Sequence, residues 1–234
     1  LKTLLILSCS WGAGEWGTDN AGKYGIRHPG MTQYLRDEIY DVWNLSQPAS
    51  DLIRLVGLFK HAVQCNPHKQ FIPLLIQTDI GRSFPFREFP MLPGETIQEF
   101  LNRFYLEIYK EFNDAAEELG VDLYVVGGLT DVTVDLSSFS RLKLVSPSWC
   151  GLADPSVPMV QTIDIDSINY LNWKYKDYKD QIIELFELAA QRWKFFDRNP
   201  ELFYPDGQHP NRDMHRLLSN HLINYFKTQE NVQS

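Results

Sequence analysis

The stretch LLILSCSWGAG, Leu4 to Gly14, constrains the fold more than any other part of the chain. Leu4, Leu5, Ile6 and Leu7 run without a polar interruption. A strand with one solvated face alternates apolar and polar residues, so an unbroken run ending at small polar residues predicts a central strand covered on both faces. Ser8, Cys9 and Ser10 follow at its carboxyl end. That is the end at which open α/β sheets bind ligands, so Ser10 is the first candidate for chemistry.

The remaining segments supply partners for such a strand. GAGEWGTDNAGKYGIRHPG is rich in glycine and has no helical period, which predicts a long loop at the same end of the sheet. Met31 to Ile39 predicts a short helix and Val42 to Leu45 a second strand. Ser50 is placed to cap a helix carrying the apolar stripe Leu52, Ile53, Leu55, Val56 and Phe59. Phe71 to Gln77 reads as a third strand, and RSFPFREFPMLPGE, with its prolines, as a loop or lid. Thr96 and Glu99 form a capping-box pair ahead of a long helix that Gly120 ends. Val121 to Val126 and Leu142 to Val145 read as the last two strands, and Gln181 to Phe196 and Arg212 to Phe226 as helices. Gly151 to Lys179 shows no clear pattern. Strands alternating with helices predict an α/β fold, a three-layer α/β/α sandwich around a five-stranded, mainly parallel sheet. With no linker and no internal repeat, residues 1–234 are expected to form one domain.

Composition narrows the function. Hydrophobic residues at 44% and charged residues at 22% exclude a disordered chain. A formal net charge of -8, without a Lys/Arg run, argues against nucleic-acid binding. No stretch approaches the roughly 18 apolar residues of a membrane span. LKTLLILSC has the look of the end of a lipoprotein signal, but its apolar run is shorter than the about 7–15 residues of such a region. Cys9, Cys65 and Cys150 are too scattered for a disulfide framework or a zinc knuckle and are expected as reduced thiols in a cytoplasmic protein. His215 and His221 do not share a helix face, so no metal pair is expected there, and His61 and His68 read as surface residues. The 13% aromatic content is explained either by rings used as core bulk or by a ring-lined cleft for flat ligands such as sugars.

Two motifs compete for the first loop. Gly12, Gly14 and Gly17 spell GxGxxG after a strand, the dinucleotide fingerprint. Its glycines should open a helix that holds a pyrophosphate, yet GTDNAGKYG follows, and WNLSQ offers no acidic residue for a ribose. The glycines are equally explained by a tight turn.

The second reading joins the two ends of the chain. SCSWGAG resembles the first block of the SGNH/GDSL hydrolase superfamily, in the variant written GCSFTxG, through Ser8, Cys9, Ser10, Trp11 and Gly14. Asp206, Gly207, Gln208, His209 and Pro210 match the superfamily's last block, DxxH followed by proline, ahead of a final helix. The resemblance spans essentially the whole chain and implies a flavodoxin-like SGNH hydrolase fold. NLSQPAS resembles the second block, whose glycine gives a backbone N–H to the oxyanion hole; here that position is Ala49, which keeps its N–H wherever φ is negative. IQTDIGR resembles the third block, with Gln77 near the family's glycine and Asp79 near its asparagine. A carboxylate facing an oxyanion is repulsive, so Asp79 must point away, be protonated or lie one residue out of register, and Thr78 is the better donor.

The resemblance implies roles. Ser10 is the nucleophile, His209 the base and then the acid, and Asp206 orients the imidazole. The N–H groups of Ser10 and Ala49, with Thr78, stabilise the oxyanion. Gly207 permits the turn, and Pro210 restricts His209 to extended backbone. The expected activity is cleavage of a small-molecule ester, an O-acyl or O-acetyl group on a carbohydrate among them, through an acyl-enzyme, with no metal and no nucleotide cofactor. Taken singly, the serine is explained as a cap and DGQHPN as a helix-entry turn. Asp19, Asn20, His28 and Arg82 are further polar residues of these loops, with no role assigned. An SGNH-fold binding or assembly protein without efficient catalysis is the alternative from another class, and Ala49 and Asp79 favour it.

Overall fold

A computed structural model describes residues 2–38, 41–203 and 209–233. Strand β1, Thr3–Leu7, is buried at all five positions, as its unbroken apolar run requires. Helix α1 is a single turn, Ser10–Ala13. The glycine-rich segment expected as a loop is an antiparallel hairpin of β2, Glu15–Thr18, and β3, Tyr24–His28. Its strands are only partly buried and carry little apolar alternation, so periodicity gave no sign of them.

Helix α2, Met31–Glu38, leads to β4, Asp41–Asn44; Ile39, expected to end that helix, lies outside the described residues. Helix α3, Leu52–Gln64, is capped by Asp51, whose carboxylate accepts the Arg54 N–H, and not by Ser50. Strand β5, Phe71–Ile76, runs into a 3-10 turn at Ile80–Phe86, where a loop was expected. Helix α4, Ile97–Leu119, has the expected Thr96/Glu99 capping box and stops at Gly120, whose φ of 66° is left-handed. Strands β6, Leu123–Val126, and β7, Leu142–Ser146, complete the sheet. The segment without a clear pattern holds α5, Trp149–Ala153, and α6, Ile165–Lys174. Helices α7, Lys179–Arg198, and α8, Arg212–Gln233, follow.

The five strands lie in the order β4-β1-β5-β6-β7, and every pairing is parallel. Helices α3 and α4 pack together on one face, α3 against β1 and α4 against β6 and β7. Helix α8 covers the other face, where Phe226 meets Tyr124 of β6, and it packs against α2 and α5. The fold is a three-layer α/β/α sandwich. Burying each Leu or Ile side chain of β1 contributes about 1.5–3 kcal/mol relative to exposure. Among the described residues no helix is long and apolar enough to cross a membrane.

Chain direction reverses across this sheet between β1 and β5. From β1 the chain moves outward to β4, then crosses back over β1 to β5 and continues to β6 and β7. This order has its topological switch point where β1 and β5 end, and there the strand ends open a crevice. Ser10 follows β1, and the Gln77–Asp79 segment follows β5.

Candidate active site

Ser10 begins α1 directly beyond the buried strand. It is 7% exposed, and its Oγ makes no hydrogen bond among the described residues. Trp11 is buried and packs edge-on to Trp149, with ring centroids 5.6 Å apart, and beside Phe196 and Phe203. This aromatic plug anchors α1 to the core.

The glycines of the first loop serve close packing. A Cβ on Gly12 would lie 2.5 Å from Ser8 Cβ and 2.8 Å from Ser46 Oγ. Gly14 has φ +147°, and a Cβ there would lie 2.5 Å from the His28 carbonyl oxygen. Helix α1 is one turn long and the chain re-enters a strand at Glu15, so GxGxxG here opens no dinucleotide-binding helix.

The second block docks on the first. Asn44 Nδ2 donates to the Gly12 carbonyl and to Thr32 Oγ1, both at 2.8 Å, while Asn44 Oδ1 accepts the Ser46 N–H. The Gln47 N–H reaches the Ser8 carbonyl at 3.1 Å. Ala49 follows with φ +58°, the one non-glycine residue with positive φ among those described. The negative φ set as the condition for an alanine donor here is therefore not met, and the N–H is carried on left-handed backbone instead. Left-handed backbone costs an L-residue about 1–2 kcal/mol, which accounts for a glycine at this position in the resembling motif. Ala49 is exposed, and its N–H has no partner among the described residues.

The third block is sealed. Gln77, Thr78 and Asp79 are each 0% exposed. Gln77 Nε2 donates to Thr130 Oγ1 and the Asp131 carbonyl, and Gln77 Oε1 accepts from Tyr109. Asp79 accepts from the backbone of Gly81, Ile163 and Asp164 and from the hydroxyls of Thr162 and Ser167. Burial pushes its carboxyl above the usual carboxylate range, against the pull of those donors. Asp79 is thus a joint between the β5 end and α6, and of the outcomes foreseen for it the carboxylate takes the first, pointing into the fold. Thr78 Oγ1 accepts from Arg82 Nη1 at 3.2 Å.

The last block is seen in part. Asp206 and Gly207 lie outside the described residues. A bridge between Phe203 and Pro210 and a bond from the Asn211 N–H to the Leu202 carbonyl join the described residues on either side. Asn211 Oδ1 caps α8 by accepting from Asp213 and Met214. His209 is half-buried, its ring stacked on Trp16 with centroids 4.6 Å apart and planes 27° apart, and Tyr24 Oη lies 3.5 Å from its Nδ1. Trp16 Nε1 donates to the Ser10 carbonyl at 3.0 Å. One indole therefore holds the Ser10 backbone at its edge and the His209 ring on its face.

The hairpin that carries Trp16 and Tyr24 is pinned by buried polar groups. Burial raises the carboxyl of Glu15, but the Tyr34 hydroxyl and the His28 and Arg212 charges outweigh it and hold the group below its usual range. His28 Nδ1 lies 3.1 Å and Arg212 Nε 3.3 Å from the Glu15 oxygens. His215, 0% exposed, takes the Met31 N–H on Nδ1 at 3.3 Å and reaches the Gly14 carbonyl through Nε2 at 3.1 Å. Trp16, Tyr24, Glu15 and His215 were missed in the sequence because each acts through tertiary contact. Cys9 and Cys150 are buried and Cys65 is exposed, all as free thiols. Among the described residues no group of three or more His, Cys, Asp or Glu is placed to hold a metal ion.

No family model and no curated protein matches the chain. Solved structures do. The chain is similar to a psychrotrophic esterase from Pseudoalteromonas sp. at 11% identity and TM-score 0.49, covering 99% of this chain and 100% of that one. It is similar to a lipase/acylhydrolase from Enterococcus faecalis at 13% identity and TM-score 0.45, over 98% and 97% of the two chains. It is also similar to an acetyl xylan esterase from Geobacillus stearothermophilus at 11% identity and TM-score 0.44, over 95% and 93%.

Proposed function

We propose that the chain is a serine hydrolase of SGNH type that cleaves small-molecule esters through an acyl-enzyme. The observation that carries this reading is the Trp16 clamp, which ties the Ser10 carbonyl and the His209 ring to one side chain although the two residues come from opposite ends of the sequence. In the proposed reaction Ser10 Oγ attacks the acyl carbon as its proton passes to His209. The tetrahedral intermediate collapses when His209 returns that proton to the leaving alkoxide. Water, deprotonated by His209, then attacks the acyl carbon, and Ser10 recovers its proton as the carboxylic acid leaves. Asp206 orients the imidazole. The Ser10 and Ala49 N–H groups receive the oxyanion; Thr78, the donor expected from the sequence, is buried and takes no part.

The left-handed Ala49 supports this assignment, because strained backbone persists where the surroundings demand it and collects at functional sites. Trp16 and Tyr24, stacked with centroids 5.7 Å apart, set aromatic faces beside His209 and suit a sugar-like leaving group such as an O-acylated carbohydrate. A second reading, an SGNH-fold binding or assembly protein, is favoured by one observation: Gln77, Thr78 and Asp79 are all buried, so none presents a side-chain donor to an oxyanion. Hydrolysis of p-nitrophenyl acetate separates the two. Activity abolished in both Ser10→Ala and His209→Ala supports the hydrolase, and no activity above buffer in the unaltered protein supports the binding protein.

A further inference from the structure

With Gln77, Thr78 and Asp79 sealed, the segment after β5 has another way to reach the crevice. We propose that Arg82 binds the acyl carbonyl oxygen of the substrate and stabilises the oxyanion that forms on it, the task for which a neutral donor was expected at Thr78 or Asp79. The inference rests on the serine hydrolase reading.

Asp79 caps the 3-10 turn at Ile80–Phe86, accepting the Gly81 N–H at 2.7 Å, and Arg82 is the next residue. The donors gathered on Asp79 therefore fix the backbone from which Arg82 projects. The Arg82 side chain keeps 21% of its surface exposed, where Gln77, Thr78 and Asp79 have none. It lines two cavities. One, of about 420 Å³, it shares with Ala49, Asp164 and Tyr170. The other, of about 130 Å³, it shares with Asp164 and Phe196, and Phe196 packs on Trp11 beside Ser10. Arg82 thus shares a cavity with Ala49, whose N–H has no partner among the described residues, and its segment follows β5, the neighbour of the strand that leads into Ser10.

Its hydrogen bonds leave capacity for a ligand. A guanidinium carries five N–H donors. Nη1 donates to Thr78 Oγ1 at 3.2 Å, and Nε faces Asp164 Oδ2 at 3.5 Å. The remaining guanidinium N–H groups have no partner among the described residues. Asp164 holds the planar head at its Nε side without covering the Nη side. A donor held in place before charge develops stabilises an oxyanion without reorganising when it forms. Asp164 and Asp166 line the same cavity and repel any anion there, so the Arg82 guanidinium has to outweigh them when the oxyanion forms.

Arg82→Ala, Arg82→Lys and the unaltered protein are compared by p-nitrophenyl acetate kinetics and by the rate of Ser10 modification with a fluorophosphonate, with thermal melting to confirm folding. Loss of one oxyanion donor lowers turnover by about 10²–10³-fold. Arg82→Ala is expected to show that loss in kcat and in labelling rate with KM changed less than about threefold, and guanidinium chloride at millimolar concentration is expected to restore part of it. Arg82→Lys is expected to fall between the two, since it keeps the charge and loses the planar fork. Unchanged kcat in a folded Arg82→Ala overturns the proposal while Ser10 labelling keeps the hydrolase reading intact. A rise confined to KM also overturns it and makes Arg82 a ground-state binding residue. If the unaltered protein is not labelled at Ser10, the hydrolase reading itself fails, and this proposal with it.

Discussion

His215 gives the most quantitative test of how the hairpin is held. It is fully buried and neutral: Nδ1 accepts the Met31 N–H, so the ring proton sits on Nε2 and is donated to the Gly14 carbonyl. Burial pushes its pKa from 6.5 down to about 4, against the pull of the Glu15 charge and the Gly14 carbonyl. The unfolded chain therefore binds a proton between about pH 6.5 and 4 that the folded chain refuses. Stability from this group is fully present above pH 6.5 and is lost as pH falls through that window. At 1.36 kcal/mol per pH unit the full effect is about 3 kcal/mol, of which about 2.5 kcal/mol is gone at pH 4.5. The carboxylates titrate in the same range, and Glu15 contributes with the same sign. The quantity to measure is thus the difference between the unaltered protein and His215→Gln. Urea melts at pH 4.5, 5.5, 6.5 and 7.5, followed by tryptophan fluorescence, give both stability curves. The advantage of histidine over glutamine is expected to shrink by about 2.5 kcal/mol from pH 7.5 to 4.5. A difference that stays constant to within about 0.5 kcal/mol across that range would refute a buried neutral His215.

Other substitutions probe the site directly. Trp16→Leu removes both the indole N–H to Ser10 and the stack on His209, and is expected to lower kcat by at least about tenfold, while Trp16→Phe, which keeps a ring, recovers part of it; equal loss in the two would deny the stack a role. Ala49→Gly relieves the left-handed strain and meets no buried contact, so its activity is retained and its melting temperature is equal or higher, the gain of about 1 kcal/mol from strain offsetting the added backbone freedom; a marked loss of activity would mean that the Ala49 methyl itself is needed.

The sheet could be read in the sequence because its central strand is buried on both faces and so carries no polar residue from Leu4 to Leu7. Helix α4 was equally legible: its cap, its stripe and its left-handed stop are all local. Helix α6 was not, since Ile168 and Leu171 are its only buried apolar residues and a period cannot be read from two points. The β2–β3 hairpin was missed because polar contacts at Glu15 and packing at Gly14 hold it, and an apolar face does not. At the site, Ser10 and His209 are proposed from two short motifs whose turn and cap chemistry is local. Nothing in QTDIGR tells which side chains fold inward: Asp79 points into the fold, one of the outcomes weighed for it, and Thr78, weighed as the better donor, is buried too. Tertiary donors from Thr162 to Ser167 make that decision for Asp79, and Arg82 is left as the residue facing outward. Asp206 falls outside the described residues, so its role rests on the motif alone.

The central claim is that Ser10 forms a covalent acyl-enzyme with His209 as its base. The most direct measurement is intact-mass and peptide mass spectrometry after reaction with a serine-directed fluorophosphonate. The account predicts one adduct per chain, on the peptide containing Ser10, absent in Ser10→Ala and strongly reduced in His209→Ala. An adduct on another serine, or labelling at Ser10 that His209→Ala leaves unchanged, would contradict it.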